Sequence, residues 1–590
     1  MKRSVVVRIA FHIGVVFLLA FAGACKKDSG ETLNDVVTVH IASDPSSGLH
    51  PVYSAAPNKT MYLDLMFQGL MTLDPASGKQ VPQLADSSPD VSADGLSYTF
   101  RIHPKAMWPD SAAITAADVV FSYKIICSPL CGDPARRDLA QYIRDIQTYP
   151  DDPRRVTFHM KSYFFRNDQI GYFTYILDPR RYDPERVLEK FTVPGLLDED
   201  SLSNDPALVQ WSAAFAGQTY SHDVTGLQGG SGPYQMNEWV PEQKVVLARS
   251  EGYWAKGMSE AMHSQYPEKI VFQVVKDEND TELRLRRQEI DVALFLTSER
   301  FEKLKADSSL NLQYRFEQKN RDSFLSILLN LRPDGAEHKK IFTDRRVREA
   351  LALAIPLSSL TEEHIGKGFT YAASPVSISN PDYNKSLKPY EYNPKRAHDL
   401  LEEAGWRDTD GDLWLDKMID GERVKLSFTL FYPKNQKPIE AFVEGLSEAL
   451  ARVGVECVLK EEDQQVYRKS LEEQDFDAAL FAFSAPPLPY DFTTLFSSSS
   501  WPEGMNYMGF RNEEADSLIA QSRETPNAQR RKVMVDRVQE ILYSELPCLY
   551  LYYPTRKIVV SKRFTKGAEL YDIFPHIYLN NLQGEPVEKE

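Results

Sequence analysis

The sequence predicts a mixed α/β protein, and three observations predict it. Short runs rich in Val, Ile, Tyr, Phe and Leu alternate with segments whose apolar residues recur at helical spacing. No fixed-period repeat or low-complexity tract interrupts that alternation. A chain of 590 residues, 42% hydrophobic and 11% aromatic, can bury several cores, roughly three or four folding units of about 150 residues each. The strand candidates, in order, are 36–41, 97–103, 244–248, 269–275, 326–331, 425–432, 455–460 and 548–553.

The helices between them announce their ends. Thr115-Ala-Ala-Asp118 has the form of a capping box before Val119, Val120 and Phe121. Asn393 is an N-cap, Pro394 suits the first helical position, Ala397, Leu400, Leu401 and Ala404 make one apolar stripe, and Gly405 ends the helix. Further helices are predicted over 343–354, 439–453 and 527–546, the last stopped by Pro547.

The first 25 residues are different material. Lys2, Arg3 and Arg8 precede an apolar run over 9–21, and Ala22, Gly23, Ala24 and Cys25 follow. That is an export signal. The run resembles the lipobox of bacterial lipoproteins, with Ala22 where Leu is usual. The resemblance implies a lipoprotein signal peptide over 1–25, lipidation at Cys25 and a polar tether over 26–34. Ordinary cleavage beside an incidental cysteine is the alternative, as is an uncleaved anchor, since 5–24 approaches the roughly 20 residues that cross a bilayer. No later stretch is long and apolar enough to span.

Bulk charge narrows the partners. The formal net charge is -16, with 84 acidic against 68 basic side chains, which argues against nucleic acid, because phosphate tracking needs clustered Lys and Arg. Cys127, Cys131, Cys457 and Cys548 remain beyond the signal. Export permits disulfides, and Cys127-Ser-Pro-Leu-Cys131 can close a small loop, whereas Cys457 and Cys548 lie among strand residues as buried thiols. A zinc site is not expected without a second close Cys or His pair.

The order of phrases along the chain resembles family 5 extracellular solute-binding proteins, the oligopeptide, dipeptide and nickel receptors of ABC importers. The phrases begin with Leu49-His50-Pro51, Gly69-Leu70 and Val81-Pro82-Gln83-Leu84-Ala85-Asp86. Asp94-Gly95-Leu96-Ser97-Tyr98-Thr99-Phe100-Arg101 and Trp108-Pro109-Asp110-Ser111 follow, with Pro109 and Ser111 where His and Gly are usual, then Ile114 to Ser122. Downstream come Gly230-Ser231-Gly232-Pro233-Tyr234, Glu251-Gly252-Tyr253-Trp254, Glu289-Ile290-Asp291-Val292, Asp344 to Leu351, and Tyr392-Asn393-Pro394 leading to Ala404-Gly405-Trp406.

The resemblance implies a two-lobed type II periplasmic-binding-protein fold with an additional satellite domain. One lobe would combine 35–67, 190–318 and 553–590, the satellite domain would be 68–189, and the other lobe would be 319–552. The crossings near Gln318 and Tyr552 would be the hinge. Residues 191–229, with Trp211, exceed the usual family connection.

Related receptors hold an extended peptide by strand-like main-chain hydrogen bonds. Carried over, those contacts would come from Tyr53, Ser54, Ala55 and Ala56 on one lobe and from Phe483, Ser484 and Ala485 on the other. Peptide receptors usually begin the latter stretch with an Asp that pairs with the ligand's α-ammonium, and Ala485 stands at that place. Tyr490 and Asp491 complete the expected site, with Asp491 either replacing the anchor or serving as an ordinary capping or exposed carboxylate. Phe481, Phe483, Tyr490, Trp501 and Tyr507 are stacking candidates as well as core candidates, and Asn506 matches a common family Asn.

Other chemistry has little support. Asp408-Thr-Asp410-Gly-Asp412 begins like a calcium loop, but Leu413 occupies the required Gly position and Ile419 that of the bidentate Glu. No metal and no cofactor are expected. No nucleophile elbow, zincin helix or phosphate loop is present, and the histidines, among them His40, His50, His103 and His364, are scattered. The expectation is therefore a monomeric, non-enzymatic, lipid-anchored binding protein of the cell envelope that delivers a peptide-like solute to an ABC permease and ATPase. The alternative is a sensor or surface-binding lipoprotein of the same fold with a non-peptide ligand.

Overall fold

The computed structural model describes residues 35–584 apart from 46–47, 54–58, 75–76, 132, 198–201, 219–229, 259, 322, 333–339, 435–436, 485–488, 503 and 568–578. The signal, Cys25 and the tether lie outside the described residues.

Two large sheets organise the chain. The first has seven strands in the order Tyr314–Asn320, Thr555–Ser561, Val292–Ala293, Val36–Ile41, Lys269–Val274, Lys244–Arg249 and Tyr234–Val240. Val36–Ile41 runs parallel to both of its neighbours, and the other pairings are antiparallel. The second has six strands in the order Thr370–Tyr371, Cys548–Tyr553, Ser323–Leu329, Ala478–Ser484, Ser427–Pro433 and Glu456–Glu462. A four-stranded antiparallel sheet of Asp90–Val91, Ser97–Arg101, Asp152–Met160 and Ile143–Tyr149 shares one continuous apolar core with the first large sheet. Separate cores cover the two faces of the second sheet.

The sheets exchange strands at two adjacent places. Tyr314–Asn320 leads through Arg321 into Ser323–Leu329, and Cys548–Tyr553 leads through Pro554 into Thr555–Ser561. The Arg321 backbone N–H donates to the Pro554 carbonyl at 2.8 Å, so the crossings are tied side by side.

Local signals behave as their chemistry requires. The Thr115 backbone N–H donates to Asp118 Oδ2 at 2.7 Å, completing the capping box that opens Ala116–Cys127. Asn393 Oδ1 accepts from the Arg396 N–H at 3.0 Å, and Gly405 closes that helix in the left-handed region at φ 88°. The strand expected over 326–331 instead occupies Ser323–Leu329, buried at all seven positions. Asn330 then ends it by donating to the carbonyls of Gln474 and Phe476. The run expected over 425–432 divides between Glu422–Lys425, in a two-stranded ribbon, and Ser427–Pro433 in the second sheet. All four described cysteines are free and buried, so the loop at Cys127 and Cys131 is not closed by a disulfide here. Among the described residues no helix is long and apolar enough to cross a membrane.

Candidate ligand-binding cleft

The first-lobe loop expected to meet ligand starts at Tyr53, and its base is pinned firmly. His50 Nδ1 accepts from the backbone N–H groups of Val52 and Tyr53, both at 3.0 Å. With that nitrogen accepting, Nε2 carries the hydrogen and donates to the Phe215 carbonyl at 3.0 Å. Burial pushes the imidazole down to about 4, so it stays neutral in the fold. Tyr53 stacks on His50 at 4.9 Å, and Phe215 closes edge-on against both rings. Phe215 belongs to the helix Pro206–Gly217 inside the long 191–229 connection, so that connection buttresses His50 and Tyr53. Trp211 stacks on Phe215 at 5.0 Å and donates to the Tyr182 carbonyl. Ser54, Ala55 and Ala56 lie outside the described residues.

Across the molecule, Phe483 and Ser484 end the strand Ala478–Ser484, paired with Phe324 and Ser323. Ser323 Oγ is buried with no hydrogen-bond partner. Ala485 lies outside the described residues. Tyr490 is buried against Phe492; its N–H donates to Asp382 and its carbonyl accepts from Arg531, while its hydroxyl has no partner. Asp491 is 7% exposed, pairs with Arg523 at 3.4 Å and accepts from the Thr493 N–H at 3.0 Å. Both of its oxygens are thus employed within the protein.

The remaining aromatic candidates separate clearly. Phe481 is core. Trp501 donates to Gln474 and lies beneath the Arg511 guanidinium at 4.2 Å. Asn506 is fully buried and ties Ser497, Phe510 and its own turn together. The carboxylates of Asp408, Asp410 and Asp412 converge on an exposed loop, but Asp410 pairs with Arg423 at 2.8 Å and Asp408 accepts from the N–H groups of Gly411 and Leu413.

Sequence reasoning missed the residues around the cavity beside the crossings. This cavity, of about 340 Å³, is lined by Met61, Asp64, Tyr172, Tyr175, Leu294 and Arg556 among others. That volume suits a small ligand. Met61 and Asp64 come from the helix Thr60–Met66, which directly follows the 53–58 loop. The glycine-rich turn seats this helix: a Cβ on Gly230 would lie 1.8 Å from the Met66 carbonyl oxygen, and one on Gly232 2.5 Å from that of Leu65. Just past the helix, Gln68 accepts from Trp254 Nε1 at 2.8 Å and donates to the Tyr253 hydroxyl at 3.0 Å, which explains the Tyr-Trp pair.

Asp64 is reachable by water in the cavity yet surrounded by protein, and burial pushes its carboxyl up to about 6. Its Oδ1 accepts from the Tyr175 hydroxyl at 2.5 Å. At the other sign, burial and the neighbouring Arg321 push the Arg556 guanidinium down to about 10. A wider recess flanks the opposite face of the crossing strands, where Gln318 Nε2 donates to the carbonyls of Lys367 and Gly368 and ties the two sheets together.

The four-stranded domain also touches the second sheet's half. Arg523 bridges to Asp138 at 3.0 Å, the Phe165 N–H donates to the Arg523 carbonyl at 2.8 Å, and Arg166 donates to the Pro489 carbonyl at 3.2 Å. Arg531 lies over the Phe165 ring at 4.2 Å.

Two sheet-based halves joined by paired crossings, with a third domain packed on one of them, define the type II periplasmic-binding-protein fold implied by the sequence. The chain belongs to the bacterial extracellular solute-binding proteins of family 5: the family's sequence profile, described as "Bacterial extracellular solute-binding proteins, family 5 Middle", matches residues 79–503. The oligopeptide-binding protein AppA of Bacillus subtilis is 24% identical over 97% of this chain and 98% of its own. Its structure with a nonapeptide superposes with a TM-score of 0.71 at 22% identity, covering 93% of this chain and 99% of that one. The glutathione-binding protein GsiB of Salmonella typhimurium is 24% identical over 85% of each chain. NikA of Brucella suis, in complex with Fe(III)-EDTA, also superposes with a TM-score of 0.71, at 19% identity over 93% of this chain and 100% of that one.

Proposed function

We propose that this protein is the capture component of an ABC importer, anchored by lipid at Cys25, that encloses a short peptide between its two sheet-based halves and delivers it to a membrane permease. The first lobe would comprise 35–67, 190–318 and 553–590, the satellite domain 68–189, and the second lobe 319–552. The backbone of Tyr53 to Ala56 and of Phe483 to Ala485 would supply main-chain contacts to an extended ligand.

One observation carries the reading. The two crossings run side by side at Arg321 and Pro554, and a cavity begins beside them at Arg556. Paired crossings let a few backbone torsions close one half upon the other, so ligand enclosure can be coupled to shape. The peptide-binding relatives support the ligand class.

Native mass spectrometry of gently purified protein, followed by denaturation, tests this reading. A family of co-purified peptides is the expected result, together with a smaller small-angle scattering radius when peptide is present. A single non-peptide compound would reassign the ligand. Peptide binding without any change in radius would sink the closure mechanism. The anchor is tested separately, since radiolabelled fatty acid should enter the wild type and not Cys25→Ser.

A further inference from the structure

We propose that this cleft recognises both ends of a zwitterionic peptide: Asp64 takes the α-ammonium, and Arg556, with Arg321 near it, takes the α-carboxylate. This inference rests on the peptide reading above and assigns the residues that would read the termini.

The first observation is opposite charge within one cavity. Asp64 and Arg556 line the same space, together with the apolar Met61, Leu65 and Leu294. The second is vacant hydrogen-bonding capacity. Tyr175 occupies only Oδ1 of Asp64; among the described residues Oδ2 accepts nothing. Arg136 attracts the carboxylate without bonding to it, since its guanidinium is directed to Asp133 at 3.4 Å and to the Pro51 carbonyl at 3.2 Å. Burial, not repulsion, raises the Asp64 carboxyl, so a donor delivered by ligand would stabilise its charged form.

The arginines show the same deficit with the opposite sign. Arg321 follows one crossing strand, and Arg556 sits opposite Lys319 on the other. Among the described residues neither guanidinium has a carboxylate or carbonyl partner, and each is desolvated. Arg556 lines the cavity, and Arg321 is near enough to push it down further, so a carboxylate arriving at Arg556 would answer both positive charges. Position 485 is Ala, and Asp491 is held by Arg523 and the Thr493 N–H.

The polarity follows from the placement. The amino end lies against the helix Thr60–Met66, and the carboxyl end lies at the crossings, where a bound carboxylate would draw the two arginines together.

The test offers the full mature protein, in detergent, a random tetrapeptide library with free termini, the same library N-acetylated, and the same library C-amidated. Native mass spectrometry counts the bound peptides. The wild type should lose at least about tenfold in retention on either modification. Asp64→Asn should erase the penalty for acetylation and keep that for amidation, and Arg556→Gln should do the reverse. A purely structural role for either residue would not produce this crossed pattern, and the wild-type comparison needs no variant to fold. Equal retention of free and blocked libraries would overturn the inference while leaving the peptide reading intact. Retention of none of the libraries would overturn both.

Discussion

Two groups of charges in this molecule share a composition and differ in everything else. Where the four-stranded domain meets the second half, Arg523 holds Asp138 and Asp491, and Arg531 holds Asp382 at 2.9 and 2.8 Å. Asp64 and Arg556 in the cavity, and Arg321 near Arg556, are also desolvated but lack salt-bridge partners among the described residues. A paired charge at an interface holds two parts of the protein together, whereas a desolvated charge left unpaired in a cavity raises the free energy of the empty state until something enters to pair it. The first group therefore reads as structure and the second as specificity.

The contrast can be broken most directly at Arg523. Arg523→Gln should leave two acidic groups uncompensated and lower stability by about 3 kcal/mol, read as a fall in the chemical-denaturation midpoint. A neutral result would remove the distinction between the two groups. Asp64→Asn should act on binding instead, weakening a free-amine peptide by about 30-fold, close to 2 kcal/mol by calorimetry, with no loss of melting temperature.

Acidity sharpens the same point. Asp64 is surrounded by Tyr172, Tyr175 and Arg136, and its carboxyl lies up at about 6 in the empty cavity. It is charged above that value and neutral below it, so affinity for free-amine peptides should fall up to about tenfold as pH drops from 7 to 5. Affinity for N-acetylated peptides should stay flat across that window. The smallest effect is expected for Arg321→Gln in the ligand-free protein, a rise in melting temperature worth less than about 1 kcal/mol, because an unpaired desolvated charge is removed. A fall would mean that Arg321 already has work within the empty fold.

The fold was legible in the sequence wherever the signal was local. Capping groups at Thr115 and Asn393 mark helix starts that the structure keeps, and largely apolar runs at 36–41 and 548–553 mark strands at those same residues. Among the strands that escaped notice are Tyr314–Asn320, Asp152–Met160 and Thr555–Ser561, which carry Arg, Lys, Gln or Thr. Their pairing comes from distant partners, and their charges obscure the alternation that betrays a strand.

The candidate site was less legible for the same reason. Tyr490 and Asp491 sit in a motif that draws attention, yet their polar groups are largely consumed by Asp382, Arg531, Arg523 and Thr493. Asp64 lies in a short helix with no motif around it, and Arg556 in a strand whose environment is supplied by residues hundreds of positions away. One signal was available: an acidic residue on an otherwise apolar helix, Thr-Met-Tyr-Leu-Asp-Leu-Met, has to face either solvent or a cavity.

The strand Thr555–Ser561 works as a two-sided rail. Successive side chains leave a strand on opposite faces, so Arg556 enters the small cavity while Lys557, one step on, reaches across the other face to lie over Phe369 at 4.8 Å. Any twist of this rail that carries Arg556 toward an occupant must swing Lys557 relative to Phe369. Occupancy on the front of the crossing is thereby written, in the same motion, onto its back.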